Sequence, residues 1–393
     1  MLVSPAPKKI VLLGLMTKMP VAGVVWQVMH YLIGFQKLGY DVYYVEEHGV
    51  RPSVLIAPDE EESPGQAAEF INRVMTRFGL ADKWAYHAVF GGGLHFGLGA
   101  SALRHLYESA EMIVNLHGGT VPRPEHFATG RLLYLETDPV ELQVELHNQV
   151  PETIEFLRHH FAFFTFGENY GRADCELPES EEFSFNPTRQ PVVMDFWQEE
   201  QCLPNDLLTT IGNWRQPRRK VKLKEQVYYW TKDLEFQKVL DLPKQTPQRF
   251  ELALSSFKPE DRAMLEEHGW LVTDALSFSM DIDRYRDYIR SSRGEFTVAK
   301  DQNVRLRSGW FSDRSATYLA SGRPVITQET AFSNVLPTGT GLFAFQTVED
   351  VLEAIDEINS DYERHSRAAR DIAREYFAHD IVLSRLLETC GHV

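Results

Sequence analysis

Cysteine is scarce in this 393-residue chain. Cys175, Cys202 and Cys390 are scattered, with no CxxC or other metal-like spacing. That excludes a disulfide framework and suits a reducing compartment, so a cytoplasmic location is expected. Long apolar runs are missing too. The run near the N-terminus, Ile10 to Leu15, has six residues, whereas a bilayer span needs ~20. No signal-peptide cleavage pattern follows it, and no transmembrane segment is expected. Positive charge is in deficit: 40 Lys and Arg stand against 56 Asp and Glu, a formal charge of −16. A general nucleic-acid binder needs a basic footprint, so nucleic acid is not an expected partner. Low-complexity stretches and short-period repeats are also absent.

A second group of absences narrows the chemistry. The loop after the first apolar run, "GLMTKMPVAGV", has glycines at 14 and 23 but no GxGxxG. The dinucleotide fingerprint is thus missing where it belongs. His159 and His160 lie in a predicted helix with no partner at metal-ligand spacing. Asp281 and Asp283 have the shape of a metal-binding DxD. They open a predicted helix after Ser279, where capping and the helix dipole account for acidic residues. Neither a metal nor a cofactor is expected.

What is present is an ordinary globular composition, 43% hydrophobic and 24% charged, with a length that suggests two or three domains. "KKIVLLGLM" is a continuous apolar run of the kind found in parallel strands covered on both faces. "VAGVVWQVMHYLIGFQKLG" reads as a helix to about Leu38 with a Gly39 stop, and "DVYYVE" as the next strand. This βαβ order predicts a Rossmann-like sheet. "EMIVNLHGG", "RLLYLETDP" and "FAFFTFGENYG" continue it. Residues 174–205 are rich in Pro and acid and read as the interdomain region. A second series of strands follows in "LLTTIGNW", "RFELALSS", "GWLVTDA", "GEFTVAKD" and "RPVITQ", mostly separated by helices. The C-terminal stretch from "VEDVLEAI" through "DIVLSRLLETC" carries apolar residues at helical spacing.

Ligands of open α/β sheets bind beyond the carboxyl ends of the strands. In the second series those ends carry cations. Residues 214–224 hold Arg215, Arg218, Arg219, Lys220, Lys222 and Lys224; most of that run reads as a solvated surface loop. Lys232 and Lys300 adjoin predicted element ends. Arg314 falls in the first turn of the helix that "FSDRS" begins, where Ser312 or Asp313 can cap. A cation at a helix N-terminus opposes the dipole. It either swings away to solvent or Asp313, or shares a phosphate with the helix end. In the first domain, His95 and His117 lie in the Gly-rich loops "FGGGLHFG" and "NLHGG" and are acid–base candidates.

The stretch "GEFTVAKDQNVRLRSGWFSDRSATYLASGRPVITQET" resembles the donor-site segment of the GT-B glycosyltransferases. The pattern A-S-G-x-P-V-I carries most of the likeness, and it is best from about 206 to 385. "PVAGVVWQVMHYLIGFQKLGYDVYYVE" is similar to the opening glycine loop, helix and second strand of that family. The resemblance implies an α/β fold of two Rossmann-like domains facing across a cleft, with a C-terminal helix crossing back. The expected divisions are 1–185 for the acceptor side, 186–375 for the donor domain and 376–393 for the returning helix. It further implies transfer of a sugar from a nucleoside-diphosphate sugar, bound as co-substrate, to an acceptor hydroxyl. Arg314 and Lys232 would face the donor diphosphate, and Gly23 would approach it from the first domain. Asn213, Arg215 and Lys300 at strand ends, with Ser312, Asp313, Ser315 and Thr317 in the helix, complete the expected donor-binding set.

The chain departs from the large retaining branch of the family. That branch carries two glutamates around this helix, and here Gly309 and Thr317 hold those positions. The expectation is therefore a metal-independent and inverting transfer. Lys232 and Arg314 would stabilise the departing diphosphate, and His95, His117 or Asp138 would serve as base, with His95 placed first. Asp138 also reads as an N-cap for a helix beginning near Pro139. Three rival readings are a GT-B-fold epimerase using carboxylate acid–base residues, a nucleotide-sugar-binding protein without catalysis, and a DNA-modifying glycosyltransferase.

Overall fold

The computed structural model describes residues 6–59, 61–198, 203–216 and 219–391; Cys202 and Arg218 lie outside them. The first apolar run is β1 (Lys9–Leu13), and it pairs in parallel with β2 (Asp41–Glu46). Between them runs the helix Ala22–Lys37, buried along almost its whole length from Ala22 to Phe35. A helix apolar all round must be covered on every side. Here the first sheet, the C-terminal helix and two helices of the second half supply that cover.

The first sheet adds β3 (Trp84–Ala88), β4 (Leu94–Gly97), β5 (Ala110–Leu116), β6 (Leu132–Glu136), β7 (Ala162–Thr165) and β8 (Phe185–Pro187). Its order is β4-β3-β2-β1-β5-β6-β7-β8. All neighbours are parallel except the β3–β4 pair. The chain then enters a second sheet through β9 (Leu207–Asn213) and makes a separate antiparallel hairpin of β10 (Lys220–Leu223) and β11 (Gln226–Tyr229). The second sheet continues with β12 (Arg249–Ser255), β13 (Leu271–Asp274), β14 (Gly294–Thr297), β15 (Val325–Gln328) and β16 (Leu342–Phe345). Its order β13-β12-β9-β14-β15-β16 is parallel throughout. Both sheets reverse direction of growth at their first strand, so each has a switch point, between β1 and β5 and between β9 and β14.

The chain returns to the first sheet at its end. The helices Val348–Ser360 and Tyr362–Ile372 are separated by Asp361, whose carboxylate accepts from the Arg364 N–H at 3.0 Å and starts the second. A wider turn, Ala373–Phe377, leads into the helix His379–Thr389. That last helix lies on Ala22–Lys37, and a Cβ at Gly34 would come within 2.6 Å of Leu383. Glycine is therefore what lets the returning helix approach so closely.

Four sequence expectations change. "FGGGLHFG" is not a loop throughout: Leu94–Gly97 forms the edge strand β4. Residues 185–187 of the acidic, Pro-rich stretch add a strand to the first sheet. The cationic run is not a solvated loop, because Val221 and Leu223 pack with Val140, Val144 and Leu306 while Lys220 and Lys222 alternate outward. Period-two alternation hidden under charge produced that error. His159 caps the helix Pro151–Arg158 and His160 follows it.

Candidate active site

The cleft between the two sheets encloses about 380 Å³. Its floor is the switch point of the second sheet, where β9 ends at Gly212 and Asn213 and the helix Asp313–Ala320 begins. The first sheet contributes the loop after β1, with Lys18, Met19 and Gly23. That loop is held from below by the fully buried Glu46. Its carboxylate accepts from the Thr17 N–H at 2.9 Å, from the hydroxyls of Thr17 and Tyr44, and bonds His48 Nε2 at 3.0 Å.

Arg314, in the cleft lining, neither swings to solvent nor pairs with Asp313. Its Nε donates to Glu295 Oε1 at 2.5 Å, its Nη2 to Thr297 Oγ1 at 3.1 Å, and its Nη1 to the Ile211 carbonyl. Glu295 is fully buried in the central strand β14. The guanidinium therefore reaches under the helix end instead of into solvent or to Asp313, and its charge is already matched. A glutamate in an otherwise apolar strand, "GEFTV", was the available sequence signal for this pair.

Lys232 is different. It precedes the short helix Asp233–Phe236 and lies at the cleft floor. Its ammonium donates to the neutral Thr297 hydroxyl at 3.1 Å. Among the described residues it makes no ion pair, and two further cations, Arg314 and Lys300, stand near it. Burial, reinforced by Arg314, pulls its pKa well below the usual lysine range. A cation so placed is a site waiting for an anion.

Lys300 Nζ donates to Asp138 Oδ2 at 2.7 Å, across the cleft from the first sheet. The ammonium stands 3.5 Å from the centre of the Trp230 ring and 5.6 Å from that of Trp310. The Trp230 indole N–H also donates to Asp138, and that of Trp310 to the Thr137 carbonyl at 3.1 Å. Asp138 is therefore not a helix cap but a cross-cleft bridge. Trp230 and Trp310 line the cleft; no motif announced them, and their adjacency to Lys232 and Arg314 was the one available hint.

The remaining expected residues divide. Gly23, Asn213, Ser312 and Asp313 line the cleft, and burial raises the Asp313 carboxyl above its ordinary range. Arg215 turns away to Asp261 at 2.6 Å and Asp233 at 3.4 Å. Ser315 is fully buried, and the Thr317 hydroxyl donates to the Arg314 carbonyl at 2.6 Å. His95 stands on the outer edge strand, stacked on His87 with ring centres 4.1 Å apart, and does not reach the cleft. His117 opens the turn after β5, at the first sheet's switch point. Its backbone is left-handed at φ 64°, its Nδ1 bonds Thr137 Oγ1 at 2.8 Å, and burial lowers its pKa to about 4. Its Nε2 is buried with no hydrogen-bond partner among the described residues. Asp281 caps its helix, accepting from the N–H groups of Asp283 and Arg284. Among the described residues no group of three or more His, Cys, Asp or Glu is placed to hold a metal, and no helix is long and apolar enough to cross a membrane.

Solved structures superpose on this chain over nearly its whole length. An alpha-glucosyltransferase solved with UDP and a 13-mer DNA containing an HMU base superposes with a TM-score of 0.58 at 10% identity, covering 98% of this chain and 99% of the other. Anabaena HepE, solved with UDP and glucose, gives 0.52 at 11% identity with the same coverage. A sucrose-phosphate synthase from Thermosynechococcus elongatus gives 0.50 at 11% identity, again with the same coverage. The chain has the GT-B fold. The sequence matches no protein-family model and no curated protein.

Within the GT-B frame the two glutamate positions become informative. Gly309 is left-handed at φ 76°, and a Cβ there would lie 2.2 Å from the Asn169 backbone nitrogen. Around it the loop is stitched to the first domain. Asn169 N–H donates to the Ser308 carbonyl at 3.2 Å, Glu176 N–H to that of Leu306 at 3.0 Å, and Arg307 pairs with Asp174 at 2.6 Å. No side chain fits at 309, so this position forms a domain contact and offers no carboxylate to the cleft.

Proposed function

We propose that this GT-B protein transfers a sugar from a nucleoside-diphosphate sugar to an acceptor hydroxyl. The observation that carries the reading is Lys232: a partly buried cation at the floor of an interdomain cleft, with no ion pair among the described residues, beside two more cations at a sheet switch point. The structural neighbours solved with UDP support the same class of ligand. The diphosphate would lie between Lys232 and the opening turn of the helix at Asp313, with Arg314 adding charge from beneath. As the C1–O bond to the diphosphate breaks, its electron pair moves onto the diphosphate, and these fixed cations stabilise it without reorganising.

Placement favours His117 over His95 as the base. His117 is linked to the cleft residue Trp310 through Thr137, and burial keeps it neutral at pH 7; in this reading it takes the acceptor proton as the acceptor oxygen bonds to C1. Asp138 is committed to Lys300 and Trp230. An inverting route is supported by Gly309 and Thr317, which leave both glutamate positions without a carboxylate. The epimerase reading would call on paired carboxylates, and among the described residues lining the cleft Asp313 is the sole one.

The test is calorimetric titration with UDP, dTDP, GDP and ADP, with and without EDTA. Selective binding of one nucleotide, unchanged by EDTA, is expected. Binding of none would overturn the donor-site reading, and loss of binding on chelation would overturn the metal-independent one.

A further inference from the structure

Lys300 is held differently from its neighbour Lys232. Lys232 makes no ion pair among the described residues. Lys300 is already matched by Asp138 at 2.7 Å and lies between two indole faces, at 3.5 and 5.6 Å from the ring centres. Asp138 also binds the Trp230 N–H, and its second oxygen, Oδ1, is buried with no hydrogen-bond partner among the described residues. Trp310 is fixed through its indole N–H to Thr137 and by the backbone bridge between Gly167 and Trp310. The ensemble is thus a rigid aromatic wall, one ammonium donor and a carboxylate that cancels its charge.

Resting on the donor-site reading above, we propose that Asp138, Lys300, Trp230 and Trp310 select a neutral, hydroxyl-bearing donor sugar and reject one that carries a carboxylate. A neutral hexose presents an apolar C–H face to the Trp310 indole and a hydroxyl oxygen to the Lys300 ammonium, and needs no net charge opposite it. A sugar carboxylate needs a free cation. It would compete with Asp138 for Lys300 and leave two carboxylates facing one ammonium, which is repulsive at this spacing in a partly desolvated cleft. Selectivity here therefore comes from a built-in like charge, not from an added attraction. Asp138 is a positioning and charge-matching residue. Lys300 and Trp310 are the groups in contact with the sugar.

The experiment compares UDP, UDP-glucose and UDP-glucuronate by calorimetry on the whole protein, wild type, Asp138→Asn and Trp310→Ala. In the wild type UDP-glucose is expected to bind at least as tightly as UDP, and UDP-glucuronate ~10-fold or more weaker than UDP-glucose, the scale of one unfavourable charge contact. Asp138→Asn keeps an oxygen acceptor for Trp230 and Lys300 but removes the negative charge. It is expected to leave UDP bound and to close or reverse the gap between the two sugars. Trp310→Ala is expected to remove the extra affinity of UDP-glucose over UDP while UDP still binds. Equal wild-type affinity for the two sugar nucleotides, or an unchanged gap in Asp138→Asn with UDP binding intact, would overturn the proposal. Failure of all three ligands to bind the wild type would instead overturn the donor-site reading for uridine nucleotides, and this proposal with it.

Discussion

At the scale of single residues, the two cations nearest the cleft floor have opposite energetics. Lys232 is desolvated without an ion pair among the described residues, so it costs stability and reserves that cost for a ligand. Lys232→Met is expected to weaken binding of the selected nucleoside diphosphate by about 1.5–3 kcal/mol, roughly 10- to 100-fold, the worth of a charged hydrogen bond. The fold itself should not lose stability. Arg314→Met should do the reverse, lowering unfolding free energy by about 3–5 kcal/mol because Glu295 is left buried and unpaired. Paired denaturation and calorimetry on the two variants checks both statements; a Lys232→Met protein that binds normally would remove the anion from this site. The buried Glu136 offers a separate test by pH. Burial raises its pKa to about 8 despite hydrogen bonds from Thr165 and Gln143. The native state therefore holds a proton that the unfolded chain releases near 4.5, and this group's contribution to stability is lost as pH rises from about 4.5 to about 8. Glu136→Gln lacks that loss. Its stability relative to wild type should climb across the same window by at least about 1 kcal/mol, measured by urea unfolding at pH 5, 7 and 9; a constant difference would show that Glu136 is ionised throughout. Of these residues, Lys232 and Arg314 were legible in the sequence from their element boundaries. Glu295 showed only as an acid in an otherwise apolar strand, and its pairing with Arg314 was not legible, because that contact is made by packing of the whole sheet and helix and not by any local pattern.

At the scale of elements, the segment 306–310 is a seam. It carries backbone hydrogen bonds to 167–176, and Gly309 is the point of closest approach. Gly309→Ala would add a methyl where 2.2 Å is available, on a left-handed backbone. Strain and overpacking together are expected to cost about 2–4 kcal/mol, and the seam should open. The check is thermal unfolding combined with limited proteolysis at 169–176, where faster cleavage than wild type is expected. Unchanged melting and cleavage would mean that the loop accommodates the methyl and is no seam. The hairpin of β10 and β11 is a second element that ties the domains together, through Val221 and Leu223 on its inner face and the Arg219–Glu141 pair at 2.6 Å on its rim. Its strands were hidden in the sequence beneath six cations, although the alternation of Val221 and Leu223 with lysines was there to be read. The Ala22–Lys37 helix and parallel strands such as β1, β5 and β6, by contrast, followed from apolar runs punctuated by glycine.

At the scale of the whole molecule, net charge and topology point to different partners. One neighbour in fold space was solved with DNA, yet this chain carries a formal charge of −16. Duplex DNA repels such a surface unless a basic stripe is gathered on one face. Two of the cations in 219–224 are already engaged. Arg219 is paired with Glu141 and stacks 3.9 Å from the Trp230 ring centre, and Lys222 pairs with Glu225 at 3.4 Å. No binding of a labelled 20-mer duplex is expected by fluorescence anisotropy at 50 mM salt with micromolar protein; a salt-sensitive rise in anisotropy would restore the DNA reading.

The sequence by itself determined the strand–helix alternation, the two Rossmann-like series, the helical character of the C-terminal stretch and the candidate cations. Each of these is written in local terms, as apolar runs, glycine stops and caps whose consequences act within a few residues. Only the tertiary structure decided how the cations are divided. Arg314 is cancelled by Glu295, 19 positions away, and Lys300 by Asp138, 162 positions away, while Lys232 has no ion pair among the described residues. It also decided that His95 stands on an outer edge and His117 at a switch point. Pairing of charges across a cleft depends on which strands become neighbours, and that is set by the packing of the whole chain, not by any segment of it.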